Sequence, residues 1–304
     1  MRSNSAYVLS RTPLIVAGSF GLLEELPPGP DITVLYHLPW WLHPAAVIKM
    51  RARVRKLQKR RRARVIICTN ERRETWFARA GGLVASWHNH NIHVREACFK
   101  PSDAAREIKY DAIYAATLDR YKRLALAAGI ESLYVLTYKR GESSGWNLHA
   151  EYPSLGHAQY NRCFLPEADV NALYGSSNCG LALSRWEGAM YSSMEYLMAG
   201  LPMVSTRSSG GRDQFRDDYY WRTVASSPEA VAAGVRAWRK NPPDRQEVRR
   251  RVLAKVEEGR SRFAQFVVRT GSLGETAAAF QHRVWGGPEG ITKIRVCPSE
   301  LTGN

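Results

Sequence analysis

Residues 179–206 read CGLALSRWEGAMYSSMEYLMAGLPMVST, and the pattern of this segment predicts the fold class. The apolar run CGLALS predicts a buried strand, the polar turn SRWEG follows it, and a helix then continues to Ala199. Gly200 is the expected left-handed cap, and Pro202 ends the helix before a second strand in LPMVST. Strand, helix and strand in this order predict a βαβ unit and therefore a parallel sheet.

The same alternation extends over most of the chain. Further strands are predicted from β-branched and apolar runs at 32–38, 64–70, 83–88, 111–117 and 132–138. Helical patterns separate these runs, and one of them, rich in Lys, Leu and Ala, ends at Gly129. The fold class is therefore α/β, with two Rossmann-like domains built on parallel sheets. The segment SDAAREIKYD (102–111) is interpreted as a linker, which predicts a short domain over 1–108 and a second over 109–304.

The composition is that of a globular protein, because 44% of the 304 residues are hydrophobic and 24% are charged. No apolar run is long enough to span a bilayer, and the first ten residues lack the apolar core of a secretory signal. A cytoplasmic location is expected on these grounds. The five cysteines are scattered, without the close pairs that zinc sites and disulfide frameworks use, and are expected to be reduced thiols.

The net charge of +16 is concentrated in residues 49–64, KMRARVRKLQKRRRAR, just after the aromatic residues Trp40 and Trp41. Apolar residues recur at helical spacing along this stretch, namely Val47, Met50, Val54 and Leu57. One helix face can therefore pack while the other stays basic. A solvated face, a peripheral contact of residues 40–64 with an anionic membrane or acidic acceptor, and nucleic acid are the three interpretations. Nucleic acid is the least favoured, because no recognised binding motif accompanies the charge.

Two carboxylates, Glu187 and Glu195, stand eight positions apart in the otherwise apolar helix segment. Eight helical residues rise about 12 Å, which is comparable with the distance from a nucleoside ribose to a sugar beyond a diphosphate. One acid could then bind ribose hydroxyls while the other meets the transferred sugar. The alternative is that both acids lie on an exposed helix face. The apolar surroundings of Glu195 favour a ligand or a partner, because a buried carboxylate needs one.

The segment EGAMYSSMEYLMAGLPMVST (187–206) resembles the donor site of retaining GT-B glycosyltransferases, especially family 4. That family has two glutamates separated by seven residues, followed by a Gly-Leu-Pro turn and a strand. The segment DAIYAATLDRYKRLALAAGI (111–130) is similar to the start of the family's donor domain, where an arginine and a lysine hold the donor phosphates. Lys122 matches the lysine, whereas Thr117 falls near the arginine position, and Arg120 or Arg123 could substitute for it.

The resemblance also implies roles for individual residues. Glu195 would bind the ribose, and Lys122 would neutralise the diphosphate leaving group. Glu187 is a candidate catalytic residue, and it would meet the donor sugar together with the backbone that follows it, Gly188, Ala189, Met190 and Tyr191. His37, at the end of the strand ITVLYHL, matches a histidine of the family's acceptor domain and is the second catalytic candidate. No metal and no cofactor are expected, since the nucleotide sugar is a substrate.

The function predicted from these features is transfer of a sugar from a nucleotide-diphosphate sugar to a glycan or lipid-linked acceptor, with retention of configuration. The N-terminal domain, which is short for this architecture, would bind the acceptor. The alternative is a non-catalytic GT-B relic that binds a glycan or a nucleotide, which Thr117 at a cation position favours.

Overall fold

A computed structural model of the chain describes residues 6–18, 31–60, 62–101, 107–138 and 144–286. The chain forms two compact units. The first unit comprises Met1–His93 with Val256–Asn304, and the second comprises Val94–Lys255. The C-terminal residues thus group with the N-terminal ones, whereas the sequence prediction placed all of 109–304 in one domain. Residues 102–106 of the predicted linker lie outside the described residues.

The first unit contains a five-stranded sheet in the order β1-β2-β3-β4-β5. Its strands are β1 (Ala6–Arg11), β2 (Leu14–Gly18), β3 (Ile32–His37), β4 (Ala63–Thr69) and β5 (Ala85–Trp87). Strands β2 to β5 are parallel, as predicted, whereas β1 and β2 form an antiparallel hairpin that the sequence analysis did not predict.

Two helices connect the parallel strands of the first unit, α1 (Pro44–Arg60) and α2 (Arg72–Ala80). The four apolar residues predicted to form one face of α1 are all buried, namely Val47, Met50, Val54 and Leu57. Helix α2 begins with a capping box of Glu71 and Glu74, and the fully buried Glu74 carboxylate also accepts the Leu42 N–H at 2.9 Å. The burial of the four apolar residues on one face of α1 confirms the amphipathic basic helix of the sequence prediction.

The second unit contains a six-stranded parallel sheet in the order β11-β10-β9-β6-β7-β8. The strands are β6 (Tyr110–Ala115), β7 (Leu133–Leu136), β8 (Gln159–Tyr160), β9 (Ser177–Ala182), β10 (Met203–Thr206) and β11 (Trp221–Val224). Counted within the unit, this is the order 6-5-4-1-2-3 of a doubly wound nucleotide-binding sheet. The strand order reverses between β6 and β9, and ligands bind such sheets at the carboxyl ends of the strands at this point.

The remaining helices are α3 (Leu148–Glu151), α4 (Glu167–Gly175), α5 (Tyr191–Met198), α6 (Pro228–Lys240), α7 (Arg245–Gly271) and α8 (Ala277–Trp285). The division between the units falls within α7. Gly200 follows α5 with a φ of +73°, as the sequence predicted, and the Ser227 side chain caps α6 by accepting the Ala230 N–H. Among the described residues, no helix combines the length and the apolarity needed to cross a bilayer.

One predicted helix is wrong. The segment ending at Gly129 forms two short 3₁₀ turns, Arg120–Lys122 and Leu124–Ala127, separated by Arg123 in the left-handed region with a φ of 54°. A continuous α-helix would need the carbonyl groups of this segment for its own hydrogen bonds. In the structure the Tyr114 hydroxyl donates to the Lys122 carbonyl, so tertiary contacts override the helical pattern.

Glycine at position 180 lets α5 pack closely on β9. A Cβ atom at Gly180 would lie 2.4 Å from the ring of Tyr196, which is fully buried. The Tyr196 hydroxyl accepts the Ala115 N–H at 2.5 Å, at the end of β6. This contact fixes α5 against the two strands between which the strand order reverses.

Candidate active site

The two candidate residues Lys122 and Glu187 meet at the carboxyl ends of β6 and β9. Lys122 follows β6 and Glu187 follows β9, and the Lys122 Nζ lies 2.6 Å from the Glu187 Oε2. Only 10% of each side chain is exposed. The structure thus brings together a cation and an acid that the sequence separates by 65 positions.

Backbone contacts hold the loops that carry this ion pair. The Arg185 N–H donates to the Tyr121 carbonyl at 2.9 Å, which joins the loop after β6 to the loop after β9. The Glu187 N–H donates to the Ser209 carbonyl at 2.8 Å, which adds the loop after β10. Together with the bond from Tyr114 to the Lys122 carbonyl, these contacts fix the backbone on both sides of the pair.

The two possible substitutes for the missing arginine lie in different environments. Arg123 makes hydrogen bonds within the fold. Its guanidinium donates to the Leu183 carbonyl at 2.6 Å and to the Thr206 hydroxyl at 2.6 Å. Arg120 is exposed to solvent. Thr117 is buried, and its hydroxyl donates to Asp119 at 2.6 Å. Their role in phosphate binding stays a prediction, and the contacts of Arg123 are those of a structural residue.

The backbone after Glu187 leads directly into α5. Gly188, Ala189 and Met190 are buried, Met190 is the N-cap, and Tyr191 is the first helical residue. Met190 makes no side-chain capping bond. The N–H groups of a first helical turn and the helix dipole favour an anion, and α5 begins within four residues of Glu187.

Glu195 lies on α5, as the sequence predicted, and its side chain is partly buried. Its Oε2 accepts a hydrogen bond from the Tyr174 hydroxyl at 2.9 Å. Burial, followed by the nearby Glu195 charge, raises the pKa of Tyr174 well above its ordinary value, so the tyrosine is a neutral donor at physiological pH. Tyr174 therefore orients the carboxylate, a role that the sequence analysis missed.

Two aromatic side chains stack beside the ion pair. Tyr121 and Trp186 directly precede Lys122 and Glu187, and their rings lie 6.0 Å apart at an angle of 11°. The Arg185 guanidinium lies 5.5 Å from the centre of the Trp186 ring. Trp186 is 41% exposed. Neither ring was predicted to belong to the site, although an aromatic residue adjacent to each candidate was a visible signal in the sequence.

The loop after β10 contains a buried cation. The side chain of Arg212 is completely buried and donates to the Ala182, Ser184 and Thr206 carbonyls. It therefore links the ends of β9 and β10 and is a structural residue.

His37 lies in the first unit, at the end of β3 as predicted. It is 6% exposed, and neither ring nitrogen has a hydrogen-bond partner among the residues that the structure describes. Its ring centre lies 4.7 Å from that of His93 and 5.2 Å from that of Phe263. Burial, with smaller effects from the neighbouring histidines, lowers its pKa well below the ordinary value, so His37 is neutral at pH 7. Its catalytic role stays a prediction.

The described part of the chain contains no group of three His, Cys, Asp or Glu side chains arranged to hold a metal ion.

Comparison with known proteins supports a glycosyltransferase. Residues 120–266, slightly less than half of the chain, match the model of the family described as glycosyl transferase-like. This segment contains Lys122, Glu187 and Glu195. No curated protein matches the sequence significantly.

Solved structures share the fold at low sequence identity. Sucrose-phosphate synthase from Thermosynechococcus elongatus has a TM-score of 0.58 and 14% identity, over 80% of this chain and 74% of that protein. Anabaena HepE in complex with UDP has a TM-score of 0.60 and 13% identity, over 80% of this chain and 73% of that one. The pneumococcal O-GlcNAc transferase GtfA, in complex with UDP and GlcNAc, has a TM-score of 0.58 and 12% identity, over 82% and 59%.

These comparisons confirm the predicted fold class, an α/β protein of the GT-B type with Rossmann-like sheets. The family match thus covers residues 120–266, and the solved structures add a likeness of fold.

Proposed function

We propose that the protein transfers a sugar from a nucleotide-diphosphate sugar to a glycan or lipid-linked acceptor, as a member of the retaining family 4 type. The observation that carries this proposal is the Lys122–Glu187 pair at the point where the strand order of the second sheet reverses. Doubly wound sheets bind nucleotides at this position. Two of the similar structures, HepE and GtfA, are complexes with UDP, which supports a nucleotide sugar as the donor.

The donor diphosphate would lie between Lys122 and the start of α5. A lysine and helix N–H groups stabilise the negative charge that develops on a leaving diphosphate, as a divalent cation does in other enzymes. We therefore expect the reaction to proceed without a metal. Retention of configuration rests on the resemblance of 187–206 to the family 4 donor site.

The ribose would bind at Glu195. Its residue lies about one helical turn beyond the start of α5, and its carboxylate is oriented by the Tyr174 hydroxyl at 2.9 Å. A carboxylate can accept hydrogen bonds from two neighbouring hydroxyl groups, which suits the 2′ and 3′ positions of a ribose.

The nucleotide assignment is tested by thermal shift with UDP and GDP. A ligand that binds only the folded state raises the melting temperature, so at least one of these nucleotides should stabilise the wild type. Glu195→Ala should abolish this shift. Glu167→Ala is the matched control, because Glu167 forms an ion pair with Arg95 in the same unit and should leave the shift unchanged. A shift that survives Glu195→Ala contradicts the ribose assignment.

Transfer itself is tested by mass spectrometry of products, with a panel of nucleotide sugars and glycan or lipid-linked acceptors. A second candidate, a protein that binds nucleotide without turnover, is favoured by Thr117 at the position of the phosphate-binding arginine. Nucleotide binding with no transfer or donor hydrolysis across the panel would support this candidate over the enzyme.

The acceptor would be bound by the first unit, which also carries the basic surface. Between Asp31 and Glu71 the chain has ten Lys and Arg residues and no acidic residue. Ile48 is 74% exposed on the solvent face of α1, among exposed cations such as Arg55 and Lys59. Cations attract anionic headgroups at about 1 kcal/mol each, and an exposed apolar side chain can enter the interface. This surface would bring the protein to an anionic membrane.

Sedimentation with anionic vesicles tests the membrane contact. Replacing Arg55, Lys56 and Lys59 by Gln should strongly reduce the bound fraction at low salt, because three interfacial charges are lost. Arg236→Gln with Lys240→Gln, on the exposed face of α6, is the control and should bind as the wild type does. Equal sedimentation of all three proteins would exclude the contact.

A further inference from the structure

The strongest unexplained feature of the site is that its lysine is already neutralised. Lys122 Nζ and Glu187 Oε2 lie 2.6 Å apart with each side chain 10% exposed, so the ammonium that would bind the donor phosphates is held by an acid of the same chain. The ammonium group has three N–H donors but a single positive charge, so the Glu187 carboxylate and a diphosphate compete for that charge. A diphosphate at Lys122 is also repelled by the adjacent carboxylate, so its binding favours displacement of Glu187.

We infer that the Lys122–Glu187 pair is an internal competitor of the nucleotide diphosphate, which makes the site select the intact donor over the nucleoside diphosphate product. This inference rests on the proposed function, because it concerns the same donor site. It assigns to Glu187 a positioning role, exerted through Lys122, in addition to any contact with the sugar.

Displacement of Glu187 can take place by side-chain rotation alone. The Glu187 N–H is bound to the Ser209 carbonyl, and the Lys122 carbonyl is bound to the Tyr114 hydroxyl. The stacked rings of Tyr121 and Trp186 join the same two loops. The backbone on both sides is thus fixed, and the two side chains carry the change.

The released carboxylate needs a new partner, because a poorly solvated charge without one is unfavourable. The hydroxyl groups of a donor sugar can supply it, since Glu187 lies beside the position proposed for the diphosphate. A nucleoside diphosphate has no sugar in this place and leaves Glu187 unpaired. After transfer, Glu187 would return to Lys122 and weaken the binding of the product, which favours its release.

The experiment measures binding of UDP by isothermal titration calorimetry, with GDP and ADP as further probes. Glu187→Gln should bind UDP at least tenfold more tightly than the wild type, because Lys122 is then available to the phosphates. Lys122→Met should bind it at least tenfold more weakly. In the double variant the gain from Glu187→Gln should disappear, because there is no lysine to release.

This cycle separates competition from simple repulsion. If Glu187 only repelled the phosphates through its charge, Glu187→Gln would strengthen UDP binding equally in the Lys122→Met background, and the inference would be overturned. Glu187→Asp provides a second comparison that keeps the charge but shortens the side chain by one carbon. It should also bind UDP more tightly than the wild type, whereas repulsion alone predicts no gain.

The remaining outcomes are also decisive. UDP binding to the wild type that is not strengthened by Glu187→Gln overturns the inference and leaves the proposed function standing. Absence of binding of all three nucleotides to both proteins overturns both. Binding to Glu187→Gln alone supports the inference. Glu167→Gln, which removes an exposed ion pair with Arg95 in the same unit, is the matched control and should leave UDP affinity unchanged.

Discussion

Replacement of Arg212 by Met should destabilise the second unit strongly. The guanidinium is completely buried, and it donates to the Ala182 carbonyl at 2.8 Å, the Ser184 carbonyl at 3.2 Å and the Thr206 carbonyl at 2.5 Å. A fourth bond, at 2.6 Å, connects it to Asp213. Methionine replaces the aliphatic part of the side chain but donates no hydrogen bond. The substitution therefore removes the donors, together with the packing of the guanidinium itself.

The size of the effect follows from the three carbonyl groups. Each buried acceptor left without its donor lowers the free energy of unfolding by about 1–3 kcal/mol. Water can enter and bind some of the unsatisfied carbonyl groups. We therefore expect the free energy of unfolding to fall by about 3–5 kcal/mol, which is toward the lower end of the summed cost for three acceptors. This is a large fraction of the stability of an ordinary domain.

Urea unfolding followed by tryptophan fluorescence measures this change. Arg216→Met is the matched control, because Arg216 lies in the same loop but its side chain is 51% exposed and pairs with an exposed Asp218. That ion pair should contribute about 0–1 kcal/mol. If Arg212→Met lowers the free energy of unfolding by less than about 1 kcal/mol, or by no more than the control, the structural role of Arg212 is refuted.

Two further predictions concern stability. Gly180→Ala should lower the free energy of unfolding by about 1–3 kcal/mol, because its Cβ would lie 2.4 Å from the Tyr196 ring, while Gly156→Ala, with its nearest neighbour at 3.4 Å, should change it little in the same denaturation assay. Burial lowers the pKa of His88 from 6.5 to about 4. As the pH falls, the unfolded chain takes up the proton on His88 before the folded chain does. The free energy of unfolding is therefore unaffected by this residue above pH 6.5 and decreases between pH 6.5 and 4. The expected loss from this residue is about 2 kcal/mol by pH 5. Denaturation at pH 7 and pH 5 should show a smaller difference for His88→Gln, and an equal difference contradicts the assignment.

The second sheet was the most predictable part of the molecule. The motif from Cys179 to Thr206 predicted strand, helix, cap and strand, and each is present within two residues of the expected position. Its apolar strands and its Gly-Leu-Pro turn are local signals, and the buried positions they require lie within the same segment. The pairing of strands that are far apart in sequence was not predictable in this way.

The segment after β6 shows the limit of local patterns. Its Lys, Leu and Ala residues favour a helix, yet the Lys122 carbonyl accepts from Tyr114 and the Arg123 side chain reaches the Leu183 carbonyl. These partners are distant in sequence or lie on another strand. The local periodicity of the segment therefore cannot predict these hydrogen bonds. The hairpin of β1 and β2 was missed for the related reason that its pairing, not its composition, defines it.

The difference between a binding cation and a structural cation also depends on tertiary partners. Arg123, Arg212 and Lys122 all follow sheet strands, and their sequence positions alone make each a candidate for a phosphate. Arg123 and Arg212 direct their guanidinium groups to carbonyl groups at the ends of β9 and β10, where the strands no longer pair and these acceptors need donors. Lys122 is bound instead by a side chain that can rotate away. Of these three cations, Lys122 alone can therefore exchange its partner for a ligand without leaving buried carbonyl groups unsatisfied.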